Sequence, residues 1–170
     1  YWSIRRPKLI QMKLDLQEME QKPTNQIPGF RERLEKLLPT LYEHRCSEGE
    51  PGGFFHRVEE GTWMGHVIEH IALEIQTLAG MDTGFGRTRS TGEKEGVYYV
   101  IFDYIEGDAG VYAARAAVKI AQALVVADGL VGRARNVSTA GTLVPSADCE
   151  FYCASYGARI AVDAADAGAN

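Results

Sequence analysis

The run His66-Val67-Ile68-Glu69-His70 places two histidines and a glutamate at chemically useful spacing inside a stretch that reads as helix. Residues four apart in a helix lie on one face on successive turns, so both imidazoles can reach a single ion. A carboxylate one residue before the second histidine stands beside that ion, where it can take a proton from activated water. Of the chain's 4 histidines, two fall here at ligand spacing. The same pattern also suits two surface histidines at the rim of an amphipathic helix, so context must decide between chemistry and surface.

A catalytic metal needs a third protein ligand and a position left open to water. Glu74 continues the four-residue series, but it lies about 6 Å beyond His70 and about 12 Å beyond His66 along the helix axis. It is better suited to hydrogen bonding a ligand ring than to binding the ion itself. The third ligand is therefore expected from another element. The acids Asp103, Glu106 and Asp108 follow a β-rich run, and Glu106 or Asp108 is the preferred choice. Those acids equally suit the N-terminus of the helix that follows them. Arg87 and Arg89 flank Thr88 in a loop bounded by glycines. Guanidinium forks grip carboxylates, so this loop is a candidate for holding an acidic substrate, or else a solvated basic loop.

The elements that must position these residues show in the periodicity. Ile10, Met12, Leu14 and Leu16 alternate, which predicts an extended segment. Residues 22–29 form a turn-rich connector, and Phe30 to Leu38 reads as a short helix that Pro39 interrupts. Residues 48–53 are a second loop. Thr62 is the expected N-cap of the motif helix, whose buried stripe is Met64, Val67, Ile68, Ile71, Ile75 and Leu78. His66, Glu69, His70 and Leu73 lie on the neighbouring strip, and Gly80 terminates the helix. Residues 84–92 read as a polar loop, Val97 to Ile105 as a buried strand, and Gly110 to about Ala127 as an Ala-rich helix. This order predicts an α/β (α+β) fold, a two-layer helix-on-sheet domain, and the H-x-x-E-H on its helix resembles the arrangement of H-x-x-E-H metallopeptidases.

At 170 residues, 45% of them hydrophobic and 24% charged, the chain is sized for one domain with a real core. A net charge of −5 argues against nucleic acid or anionic lipid as partner. No apolar run approaches the length of a membrane span. Cys46, Cys149 and Cys153 are an odd number without a Cys-x-x-Cys pair, which fits a reducing, cytoplasmic setting. No histidine follows Cys149 and Cys153 to complete a metal set. The chain opens without an initiator methionine, so a first strand is expected to be missing. From about Val125 the sequence turns rich in Ala, Gly and Val without clear periods, dividing the chain into a domain over 1–124 and a divergent tail over 125–170.

Many local runs together carry a resemblance. They include Tyr1-Trp2-Ser3-Ile4-Arg5-Arg6, Ile27-Pro28-Gly29-Phe30, Leu41-Tyr42-Glu43-His44-Arg45-Cys46-Ser47, Glu60-Gly61-Thr62-Trp63-Met64-Gly65-His66 and Gly84-Phe85-Gly86-Arg87-Thr88-Arg89. Residues 1–124 resemble the N-terminal region of cyanophycin synthetases. The resemblance implies a larger enzyme in which an ATP-grasp domain and a muramyl-ligase-like domain use ATP to join aspartate and arginine. It implies that the N-terminal domain holds the polymer, cyanophycin, and in part of the family cuts it into primers. His66 and His70 would then bind a divalent metal, expected to be zinc, with Glu69 as general base. A homo-oligomer is the expected assembly. The tail departs from the family pattern, and with no Gly-rich phosphate loop in this chain, ATP would serve only the other domains.

Overall fold

The computed structural model describes residues 8–16, 22–126, 150–153 and 158–163. The alternation of Ile10, Met12 and Leu14 becomes strand β1, Lys8–Asp15, with those three side chains fully buried and the residues between them half-buried. β1 pairs antiparallel with β3, Val97–Tyr104, so that Ile10 lies opposite Phe102 and Met12 opposite Val100. These four side chains have no exposure and form the floor of the core. Burying each contributes roughly 1.5–3 kcal/mol. β3 was expected to be buried throughout, but only alternate parts of it are. Tyr98, Tyr99 and Ile101 are half-buried because helices cover one face of the sheet.

Two helices form the second layer. α3, Met64–Leu78, packs on β3 and on strand β2, Gly86–Ser90, and α4, Gly107–Val126, packs beside it on β1 and β3. Small side chains let α4 come close: Ala113, Ala114, Ala117 and Ala121 are fully buried. A Cβ at Gly110 would stand 2.6 Å from Ile10 Cδ1. Gly80, with φ of 80°, follows the end of α3 as expected. Leu78, assigned to the buried stripe, is instead 60% exposed as the last residue of α3.

Two segments differ from the sequence expectations. Residues 86–90, read as loop, form strand β2, Gly86–Ser90, antiparallel to β3 and at the edge of the sheet. Its polar composition reflects that edge position. Residues after the second loop form a helix, α2, Gly53–Glu60, which buries Phe54, Phe55 and Val58 against the chain around α1, Phe30–Leu37. The sheet order is β2-β3-β1-β5-β4, where β4 is Glu150–Cys153 and β5 is Ala158–Asp163, each antiparallel to its neighbour. The expectation for the tail otherwise lies outside the described residues. Among the described residues, no helix is long and apolar enough to cross a membrane.

Candidate metal centre

The N-terminal half of α3 carries the motif on the side away from α4, facing the turns that precede α2. Thr62 does not cap this helix. Trp63 is the N-cap, without a side-chain bond, and the Thr62 hydroxyl instead lies 2.9 Å from His66 Nδ1. Thr62 is itself fixed by a double tie to Thr24, whose amide donates to Thr62 O at 2.9 Å and whose hydroxyl accepts from Thr62 N at 2.9 Å. His66 Nε2 and His70 Nε2 stand 3.1 Å apart.

The third donor is a cysteine. Cys46 Sγ lies 3.3 Å from His66 Nε2, and donor atoms of Cys46, His66 and His70 all fall within 4.8 Å of one another. Cys46 opens a 3-10 turn, Cys46–Glu48, in a left-handed backbone conformation with φ of 51°. A non-glycine residue held there stores strain that the surrounding contacts must hold in place. Those contacts come from α2: Phe54 N donates to His44 O at 3.2 Å, and Gly53 packs so tightly on the turn that a Cβ would stand 2.3 Å from Arg45 O. Phe54 also walls the site, stacking on His70 at 4.1 Å between ring centroids.

Glu106 and Asp108 do not meet the histidines. Both are exposed at the start of α4. The reason is strand direction. β3 ends beside the C-terminal half of α3, where Gln76 Nε2 donates to Asp103 O at 3.1 Å. Gln76 lies about 15 Å along the axis from His66. Asp103 is used locally, accepting from the amides of Gly84 and Phe85 at 3.1 Å each.

Glu74 is not among the three donors, and it reaches His70 through an intermediary. His44 Nε2 lies 2.9 Å from Glu74 Oε2, and His44 Nδ1 lies 2.9 Å from His70 Nδ1. Thr40 donates to the other Glu74 oxygen. A carboxylate only accepts, so the His44 proton sits on Nε2 and His44 Nδ1 accepts from His70 Nδ1–H. That tautomer leaves the His70 Nε2 lone pair facing His66 and Cys46. Thr62 accepting from His66 Nδ1–H leaves His66 in the same state.

The donor set fits a divalent metal. Tetrahedral zinc at its usual bond lengths holds two nitrogens about 3.3 Å apart and a nitrogen and a sulfur about 3.5 Å apart. The structure shows 3.1 Å and 3.3 Å for the two pairs that share His66, with all three donor atoms within 4.8 Å of one another. Burial, with Arg57 adding a smaller part, lowers His66 to about 4, and burial followed by the charges of His66 and His44 holds His70 well below 6.5. Both rings are therefore neutral, the state that coordinates.

Glu69 lies on the β2 side of the same helix. Burial raises its carboxyl to about 7, partly offset by Thr88 Oγ1, which donates to Oε2 at 2.6 Å. A Cβ at Gly86 would stand 2.5 Å from Glu69 Oε1, so the glycine makes room for the carboxylate. Glu69, His66, His70 and Cys46 share the wall of one cavity of about 860 Å3, with Arg45, Arg57, Arg87 and Arg89 on its lining. Arg87 and Arg89 alternate with Gly86 and Thr88, so their side chains leave the strand on the face away from α3, and the Arg89 guanidinium lies 5.6 Å from the Tyr99 ring centre. Both line the cavity.

Sequence reasoning missed Cys46 and His44. The signal was present in His44-Arg45-Cys46, two ligand types two residues apart before a glycine-rich turn, but nothing in that pattern shows which face of α3 it meets. Cys149 and Cys153 lie outside the residues whose side chains are described.

A family model described as a cyanophycin synthase-like N-terminal domain matches residues 11–126. The chain belongs to this family. Cyanophycin synthetase of Geminocystis herdmanii is 55% identical over 140 residues, which is 81% of this chain and 16% of that protein. Cyanophycin synthetase of a Synechocystis species is 56% identical over 125 residues, 74% of this chain and 14% of that protein. This cyanophycin synthase-like domain thus spans about a sixth of the length of the curated relatives it matches. The matched residues 11–126 include the donor residues, the cavity and both helices of the second layer.

Proposed function

We propose that this chain is the N-terminal part of a cyanophycin synthetase, that it holds cyanophycin beside the ATP-grasp and muramyl-ligase-like domains, and that it cuts the polymer by metal-dependent hydrolysis to make primers. The observation that carries the reading is the group Cys46, His66 and His70 with Glu69 on the wall of the same cavity. A divalent metal on those three donors, proposed as zinc because a thiolate with two imidazoles suits that ion, would supply positive charge to polarise an amide carbonyl and acidify water.

The chain's own residues do the rest. Glu69, with its carboxyl near 7, takes a proton from the attacking water at neutral pH and passes it to the departing amine. A C–O bond forms as the C–N bond breaks, and the proton count balances. Thr88 aims the Glu69 carboxylate, and Gly86 leaves space for it to turn. His44 and Glu74 act as positioning residues that hold the His70 tautomer.

The test is metal analysis of the purified chain together with a cyanophycin cleavage assay. Wild type is expected to carry about one metal per chain and to shorten the polymer, and Glu69→Gln to keep the metal and lose cleavage. A metal-free wild type that never shortens cyanophycin refutes the proposal. A second reading, polymer binding without cleavage, draws support from the mixed charge of the cavity lining, where four arginines accompany Glu43 and Glu69. Polymer binding that survives both a chelator and Glu69→Gln, with no cleavage by wild type, would select it.

A further inference from the structure

The free edge of β2 holds more than a sheet boundary. In an antiparallel ladder, residues alternate between pointing both backbone groups at the partner strand and pointing both away. Two bonds outside the regular ladder fix the parity here: Asp103 N donates to Phe85 O at 3.0 Å and Thr91 N donates to Val97 O at 3.0 Å. With Arg87 opposite Ile101 and Arg89 opposite Tyr99, the odd-numbered residues 85 to 91 face β3. Gly86, Thr88 and Ser90 therefore direct their N–H and C=O groups outward, and among the described residues no partner meets them. β2 is the terminal strand of the sheet.

That edge lies on the side of α3 that carries the donors. Gly86 and Thr88 contact Glu69 directly, α4 occupies the opposite flank of α3, and every residue of β2 lines the cavity shared with Cys46, His66 and His70. We propose that β2 receives an extended peptide main chain as an added strand, which carries the scissile amide past Glu69. This rests on the hydrolytic reading above and names how its substrate is seated.

Five residues at about 3.4 Å each pair with about five residues of such a peptide. Main-chain pairing gives grip without regard to side chains, which suits a polymer that must be cut at many equivalent positions. The charge around this edge selects the peptide. Arg87 and Arg89 stand two residues apart on one face of β2, where they meet alternate side chains of an added strand, and Arg45 and Arg57 add positive charge on the cavity lining. The occupant is an extended peptide bearing carboxylates.

Amide hydrogen exchange with and without cyanophycin tests this, using the full chain carrying E69Q so that the polymer stays intact. The amides of Gly86, Thr88 and Ser90 are expected to slow on binding, while those of Arg87 and Arg89 are already protected by β3. In wild type, Ser90→Pro removes one outward N–H and leaves the β3 ladder whole, and Ser90→Ala controls for the hydroxyl that accepts from Gly92 N. Ser90→Pro is expected to raise KM about fivefold over Ser90→Ala, the two variants sharing kcat and metal content. Polymer binding that leaves the three outward amides unprotected, or equal KM for the proline and alanine variants, overturns the proposal. Protection of the three amides in a chain whose wild type cuts nothing would uphold strand addition while the hydrolytic reading fails.

Discussion

Glutamine at position 74 isolates the proton arrangement behind the metal donors. Glu74 has side-chain exposure of 2% and receives the His44 Nε2 proton at 2.9 Å. Glutamine keeps the shape but also offers an N–H. Once it donates to His44 Nε2, His44 carries its proton on Nδ1 and points it at His70 Nδ1, 2.9 Å away. His70 then moves its own proton to Nε2, the nitrogen that faces His66 and Cys46, and that lone pair is lost to the metal. Loss of a partner that orients a metal-ligating histidine costs about 10- to 100-fold in metal affinity, or about 1.4–2.7 kcal/mol. The assay is chelator competition for bound zinc, with cobalt substitution to read the donor set by its absorption. Glu74→Gln is expected to weaken the metal by that factor and to keep the thiolate-to-cobalt band, because Cys46 and His66 are untouched. Affinity within about threefold of wild type would refute the reasoning, since Glu74 would then be a buried carboxylate with no say in the His70 tautomer.

Two other perturbations follow from the geometry. Gly53→Ala places a Cβ 2.3 Å from Arg45 O, a backbone atom that cannot swing aside, so thermal unfolding of the metal-free chain should show a loss of about 1–3 kcal/mol. Metal-free stability should also depend on pH in two opposed ways. His66 falls from 6.5 to about 4 on folding, so the folded state resists a proton the unfolded chain accepts, and stability is lost as pH drops from 6.5 towards 4. Glu69 rises from 4.5 to about 7, so its stabilising proton is held fully below 4.5 and lost as pH climbs to 7. Each amounts to about 3 kcal/mol, so the slopes largely cancel between 4.5 and 6.5, with His70 adding to the acid side. Glu69→Gln should remove one slope, making the metal-free chain more stable than wild type at pH 8 and steeper in its loss on acidification, as read by urea titrations at several pH values.

Helices α1, α3 and α4 and the inner strands were legible because their apolar side chains share one face, whereas α2 was not. β1 and β3 alternate against a single helical layer, and α3 carries a continuous apolar stripe ended by Gly80. β2 was not legible: an edge strand that reads Gly-Arg-Thr-Arg-Ser carries no apolar signal, since its inward positions must stay small to admit Glu69. The same limit hid the third donor. Helix spacing gives the distance between His66 and His70 within one element, but Cys46 arrives from a 3-10 turn whose placement depends on Gly53 and Phe54 packing between elements. The acids after β3 looked suitable only because their distance along α3 depends on strand direction, which no local pattern carries.

The β1–β3 ladder joins Lys8 to Tyr104 near its ends, and every residue that lines the cavity, from Glu43 to Tyr98, lies in the chain between them. Pairings this distant in sequence form late and slowly, because the intervening segment must be ordered before the contact rewards it. On a ribosome adding about 5–20 residues per second, the histidines emerge seconds before the strand that closes the sheet over them. A nascent chain halted short of residue 104 would carry the motif without the complete strand on which α3 packs.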